Sequence, residues 1–449
     1  MGECRELVEA GVPITGGSPM LRTNVLRCLV ASACFGLVAC QPAAPATTGG
    51  APAAPTSAPA AAAPAANQPA TGSGQPIKIG LVTGLSGAYA GLAQGQERGA
   101  ELAVQDIGSV LGRPLLLIAR DDKIDPNEAA KQTEALVQTE QVDLLTGCVS
   151  AATTLAVNEV AKRAKVLYLG TCQTNALNDG NKDWSDYSFH MALTPWMNNQ
   201  MVLPWITQKL GKNIYIFAAD YAWGSDNIES ITAWLGKQGI PLIGQSRAPL
   251  GTKDFTTFIP QIRASSPEVT IVVNAGDDQA NFLKQASQFG LSKETKLYSP
   301  VVDVPFDKQN GQSNIADTYG GANFYWAIQD QLPSAKKFVD AYRQKFNEMP
   351  AAYGSYQYDA LKAWAAAVEK AGSLDPRKVE TALEGMSFDY SSGQSVIRKC
   401  DHQMIHPVHI MKGRAETQGD AGYRDLVTTI AADEKYERTC DQLGLANRA

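Results

Sequence analysis

From Ile77 onward, short β-branched runs alternate with amphipathic helical stretches, and after one complete series of such units the pattern begins again. Residues 77–82, 115–119, 142–145 and 166–169 read as strands, with helices near 94–107, 126–138 and 152–163 between them. The second series places strands at 213–217, 242–244, 269–273 and 296–298, and helices near 227–238, 255–264 and 278–289. A strand–helix–strand unit buries both faces of a parallel sheet only by laying helices over each face. Each series therefore specifies a doubly wound parallel sheet, and two in succession specify two α/β lobes. A helical pair at 334–346 and 356–371, a segment at 376–385 and a β-rich tract at 394–411 have no complete sheet of their own. They are expected to pack back onto the lobes, which requires several chain crossings and produces a hinge. The expected division is 77–196 plus 328–388 for the N-terminal lobe and 197–327 plus 389–449 for the C-terminal lobe.

The region before the body reads as targeting sequence. Glu3, Glu6 and Glu9 are foreign to an export signal, but a conventional one begins at Met20, the expected true start. Arg22 and Arg27 form its basic end, 26–37 its apolar stretch, and Leu37-Val38-Ala39-Cys40 closes it. That tetrapeptide resembles a lipobox, which implies that 1–40 is a signal segment and that Cys40 carries lipid at the mature N-terminus. Residues 41–76 are dominated by Ala, Pro, Thr, Gly and Ser, too poor in apolar surface to offset ordering entropy, and are expected to be a disordered tether. After cleavage, Cys148, Cys172, Cys400 and Cys440 remain beyond the anchor in an oxidising compartment. Three connectivities are open. Pairing Cys148 with Cys172 and Cys400 with Cys440 is preferred, because each bridge then stays within one region.

Charge and motifs exclude several functions. Lys and Arg number 39 against 45 Asp and Glu, without a basic run, so the footprint of phosphate-backbone binding is missing. No nucleotide-binding glycine motif, nucleophile elbow or zinc-protease pattern occurs, and no cofactor or enzyme activity is expected. His402, His406 and His409 invite a metal reading. Pro407 opposes a helix there and strand alternation turns His409 away from the others, so a surface strand without metal is expected.

The informative segments are the strand exits, because open α/β sheets bind ligands at the carboxyl ends of their strands. Gly84-Leu85-Ser86-Gly87-Ala88-Tyr89 follows the first strand and brings Tyr89 to that edge. Gly147-Cys148-Val149-Ser150-Ala151 leaves another strand and opens a helix, placing Ser150 at the N-cap with Ala151 beside it and free N–H groups facing the cleft, a seat for a carboxylate. Gly170-Thr171-Cys172-Gln173-Thr174-Asn175 is a third such exit.

These segments, with Asp121-Asp122-Lys123-Ile124-Asp125-Pro126, Ala219-Asp220-Tyr221-Ala222-Trp223-Gly224, Thr252-Lys253-Asp254-Phe255-Thr256 and Asn274-Ala275-Gly276-Asp277-Asp278, carry a family resemblance. In this order, over 77–411, the chain resembles the leucine/isoleucine/valine-type periplasmic binding proteins of ABC transporters. The resemblance implies a type I periplasmic-binding-protein fold, with two doubly wound parallel-sheet lobes joined by a three-stranded hinge. It also implies a ligand carboxylate held by hydroxyls of Ser150 and Thr174 and by backbone N–H groups of Cys172 and Thr174. Tyr221 and Trp223 would cover the ligand from the second lobe, and Asp303 or Asp277 would meet its ammonium. Two departures stand out: Ile124 occupies the place of a cysteine that bridges near Cys148, and the bulk of Trp223 argues against a simple leucine pocket.

The leading expectation is thus a monomeric, periplasmic or cell-surface receptor of an ABC importer. It would touch the membrane through its lipid only and deliver a small carboxylate-bearing solute, whether amino acid, amide or aromatic acid, to permease subunits. The alternative is a ligand-sensing component that signals through a partner protein.

Overall fold

The computed structural model describes residues 74–419 and 422–448, all within one unit of the chain, Asn67–Ala449. The signal segment, Cys40 and nearly all of the tether lie outside the described residues.

Every strand expected of the first series forms. β1 (Ile77–Thr83) is followed by α1 (Ala90–Ile107), β2 (Ser109–Val110), β3 (Arg113–Asp121), α2 (Pro126–Ala135), β4 (Leu144–Gly147), α3 (Ala151–Ala164), β5 (Tyr168–Gly170) and β6 (Ser188–His190). They make a six-stranded sheet in the order β2-β3-β1-β4-β5-β6, parallel except for β2. Its strands read Ile, Leu and Val on both faces because both are covered, and Ile77, Ile79, Leu81 and Leu144 are fully buried.

The second series comprises α4 (Pro195–Lys209), β7 (Ile214–Ala219), α5 (Ala222–Gln238), β8 (Leu242–Ala248), α6 (Phe258–Ala264), β9 (Val269–Val273), α7 (Gly276–Gln288), β10 (Lys296–Ser299), α8 (Val304–Asn310), α9 (Gln312–Ile315) and β11 (Tyr319–Ala322). The remainder supplies α10 (Pro333–Phe346), α11 (Ala352–Ala371), α12 (Pro376–Leu383), β12 (Ser387–Asp389), β13 (Gln394–Ile397), β14 (Met404–Ile405), β15 (Val408–Gln418) and β16 (Gly422–Ile430). The second sheet has seven strands in the order β16-β15-β11-β10-β9-β7-β8, with β15 and β16 added antiparallel at one edge. The chain passes between the two lobes at 191–194 and 323–332, and again at 406–407 from a small sheet beside the first lobe into β15, which makes the hinge.

α11 returns to the first lobe and lies against α1. Their approach depends on glycine: a Cβ at Gly99 would stand 2.1 Å from the Gly354 carbonyl oxygen.

Part of 389–449 packs differently from the expected division. β12, β13 and β14 form their own three-stranded sheet beside the first lobe, where His190 bridges Gln403 and His402 Nδ1 bonds the Ser188 carbonyl at 2.8 Å. Only β15 and β16 join the second sheet. The physical reason is the edge of β6, whose unpaired backbone groups take the partners this segment offers.

The histidines are not on a surface strand either. His402, His406 and His409 are all buried, because β15 is an interior strand of its sheet and the loop before it is enclosed at the hinge. Burial holds His406 down at about 3 and His409 at about 4, so both are neutral.

Cys400 and Cys440 are bonded, whereas Cys148 and Cys172 are free buried thiols, which corrects the pairing expected for them. Both sit on adjacent strand exits within the core, where a thiol behaves as a small apolar group. Alkylation with peptide mapping should modify Cys148 and Cys172 after denaturation alone, and Cys400 and Cys440 only after reduction. The glycine contact predicts that Gly99→Ala costs about 1–3 kcal/mol. Thermal melts should show this against Gly236→Ala, where nothing lies within 4 Å of the added carbon.

Candidate functional site

Three exits of the first sheet are held together by one buried polar network. Thr83 Oγ1 donates to Gln96 Oε1 at 2.6 Å, and Gln96 Nε2 donates to the Cys148 carbonyl at 2.7 Å and to Thr171 Oγ1 at 2.8 Å. Thr171 Oγ1 donates in turn to Gln357 Oε1 at 3.2 Å. Gln357 Nε2 reaches Thr146 Oγ1 at 2.8 Å, and that hydroxyl reaches the Leu169 carbonyl at 2.9 Å. All five side chains are fully buried and each is hydrogen-bonded within the network, which fixes the loops instead of weakening the core.

These loops present their side chains to the opposite lobe. Tyr89, Ala151 and Cys172, with Leu92 and Val149, face Tyr221, Trp223, Ala275 and Val301 around one gap, and Tyr353 of α11 completes it. The space left inside is about 10 Å³, room for about one water molecule. The lobes are closed on each other. The Tyr89 hydroxyl donates to that of Tyr221 at 2.9 Å, and Trp223 Nε1 to Gln173 Oε1 at 3.4 Å. Trp223 reaches this position because α5 begins tight against β7: a Cβ on Gly224 would lie 1.9 Å from the Ala219 carbonyl. Closure needs Gly276 as well, where φ is +57° and a Cβ would meet the Ala88 carbonyl at 2.3 Å.

The remaining expected residues divide. Ser150 is buried at the N-cap of α3, but its hydroxyl makes no capping bond, which leaves the first N–H groups of the helix without a partner from it. Thr174 is buried and its hydroxyl donates across the cleft to Asp226 at 2.9 Å. Asp226 also accepts the Asn175 N–H at 2.8 Å; no motif pointed to this residue, and only its position on the inner face of α5 reveals it. Asp277 is exposed and held by Gln309, so it lies outside the gap. Its neighbour Asp278 is the buried one, and it accepts the Gly251 N–H.

Asp303 caps two helices at once. Its Oδ1 accepts the Val304 N–H of α8 at 2.8 Å and the Ala352 N–H of α11 at 2.9 Å, so one carboxylate joins the lobes. Oδ2 is buried without a hydrogen-bond partner. Burial pushes the carboxyl up to about 7, against the pull of these N–H groups.

Among the described residues, Glu380, Glu384 and His402 could hold a metal. The Arg448 guanidinium already fills that cluster, 2.5 Å from Glu384 and 3.3 Å from Glu380.

Two lobes that close on a small gap lined by aromatic rings, with a helix N-terminus beside it, define a receptor that encloses a solute. A family model described as periplasmic binding protein matches residues 76–420, and the chain belongs to that family. It is 25% identical over 70% of its length to a Leu/Ile/Val-binding protein homolog of Brucella abortus, covering 82% of that protein. A periplasmic binding protein of Burkholderia mallei superposes with a TM-score of 0.76 at 26% identity, over 83% of this chain and 99% of that one. A solute-binding protein of an ABC transporter from Rhodopseudomonas palustris, solved with 3,4-dihydroxybenzoic acid, gives 0.72 at 21% identity, over 79% and 97%. By family the chain is a solute-binding protein and not an enzyme.

The buried acid makes stability pH-dependent. Asp303 holds its proton more tightly when folded than at its ordinary value near ~4, so ionising it costs more and more as pH rises from about 4 to 7. Melting temperature should fall over that window, and Asp303→Asn should shrink the difference between pH 5 and pH 8. A slope remains from Asp122, which burial raises to about 6, and from Asp359, raised to about 7.

Proposed function

We propose that this chain is the lipid-anchored receptor of an ABC importer, which captures a small carboxylate-bearing solute by lobe closure and delivers it to the permease. The observation that carries the reading is the convergence of Tyr89 and Cys172 from one lobe with Tyr221 and Trp223 from the other on a single gap. The lining favours a solute with a flat or branched apolar body, since aromatic rings bury large areas at low entropic cost. Its carboxylate would sit at the N-terminus of α3, where Ser150 and the N–H groups from Ala151 onward supply donors and the helix dipole adds to them. Asp303 would be the carboxylate to meet an ammonium, a reading supported by its spare Oδ2 and by its place two residues from Val301 and against Ala352, next to Tyr353. The relatives' names add branched-chain amino acids and a dihydroxybenzoic acid to the classes worth testing. Cys40 as the anchor and 41–76 as the tether complete the proposal.

A thermal-shift screen of amino acids, amides and aromatic acids tests it. A solute at a hundred times its dissociation constant adds about 2.7 kcal/mol of stability, a shift of a few degrees. No response to any small solute would remove the reading. For a solute that does bind, Trp223→Ala and Ser150→Ala should each weaken affinity about tenfold or more, measured by calorimetry.

A further inference from the structure

Beyond β16 the chain does not end in the second lobe. Residues 434–436 pack against α4, and the buried Glu437 accepts the hydroxyl of Thr194, the residue that caps α4 at the first hinge crossing. Arg438 then spans the cleft: Nη2 donates to the Asn175 carbonyl of the first lobe at 2.9 Å, while its guanidinium lies 5.7 Å from the Trp196 ring of α4. Cys440 is bonded to Cys400, beside the small sheet. The Leu443 carbonyl accepts the Gly180 N–H at 2.8 Å. Last, Arg448 is clamped by Asp186, Glu380 and Glu384, with its guanidinium 4.6 Å from the Trp184 ring.

We infer that residues 433–448 form a strap, a fourth link between the lobes, through which Arg438 positions the latch that holds the cleft shut. Asn175 is where the two devices meet. Its N–H goes to Asp226, its side-chain oxygen accepts the Trp196 N–H at 2.8 Å, and its carbonyl takes Arg438. Asp226 and Trp196 from the second lobe and Arg438 from the strap thus hold one residue, three positions along the chain from Cys172 at the gap. The Cys400–Cys440 bond fixes the strap two residues beyond Arg438, and Arg398 donates to the Arg438 carbonyl at 3.1 Å, so Arg438 cannot drift with lobe 2 when the cleft opens without pulling on an anchored chain. A fold of this kind with only three crossings opens as far as its hinge torsions allow. The strap adds a tether, and it makes the Asn175–Asp226 contact, and so the closed state, dependent on an intact disulfide.

The inference rests on the lobe-closure reading of the gap, but its test requires no solute. Amide exchange of the full chain, followed by NMR, reads the Asn175 N–H directly. Arg438→Met, and separately reduction of the wild-type protein by a phosphine, should speed exchange at Asn175 about tenfold or more, with β1 and β9 amides unchanged. Arg438→Lys, which keeps a charged donor, should restore most of the protection. Unchanged exchange at Asn175 in Arg438→Met would overturn the inference, as would an equal loss of protection in β1 and β9, which marks a global staple. If reduction unfolds the protein, the two Arg438 variants still decide. A failed solute screen alongside a loosened Asn175 would sink the transport reading and leave the strap standing.

Discussion

The site depends on the buried chain of amide and hydroxyl groups running from Thr83 through Gln96, Thr171 and Gln357 to Thr146. Polar groups out of water cost free energy unless paired, and here each of the five side chains hydrogen-bonds to another group of the network. The gain is rigidity. β1, β4 and β5 end in loops with little regular structure, yet the network ties them to α1 and α11. Tyr89, Ala151 and Cys172 therefore stand at set distances before any solute arrives.

Against that fixed wall the second lobe closes with few contacts of high stake. Gly276 admits the Ala88 carbonyl, Tyr221 meets Tyr89, and two carboxylates, Asp226 and Asp303, accept N–H groups from the first lobe. Burial works against both acids: it raises the carboxyl of Asp226 as well as that of Asp303. The closed arrangement is thus a compromise between hydrogen bonds gained and charge desolvated, and such a balance is readily biased by a ligand. A disulfide-fixed strap over the hinge would narrow the range across which that bias acts.

Much of this was readable before any coordinates. The two βα series and the strand-exit loops followed from hydrophobic period and glycine placement, because those signals are local, whereas β6, α4 and β11 were not foreseen. Trp223 was legible as a cleft residue since an aromatic ahead of Gly224 at a strand exit has little core to join. Asp226 was not, because one face of an amphipathic helix gives no sign of which acid will meet another lobe. Asp277 and Asp278 show the same limit, where one residue of rotation separates a solvated carboxylate from a buried one.

The histidines and cysteines mark the boundary more sharply. Burial of His402, His406 and His409 depends on the hinge enclosing a tract whose own pattern reads as an exposed strand. Cys148 and Cys172 lie in neighbouring loops, but pairing needs sulfur geometry that spacing cannot supply. By itself, then, the sequence determined the architecture and the loops that meet at the cleft, since backbone period and turn chemistry act over a few residues. Only the tertiary structure decided which acids cross between the lobes, which thiols pair and where the C-terminal arm lies, since those depend on contacts between segments far apart in the chain.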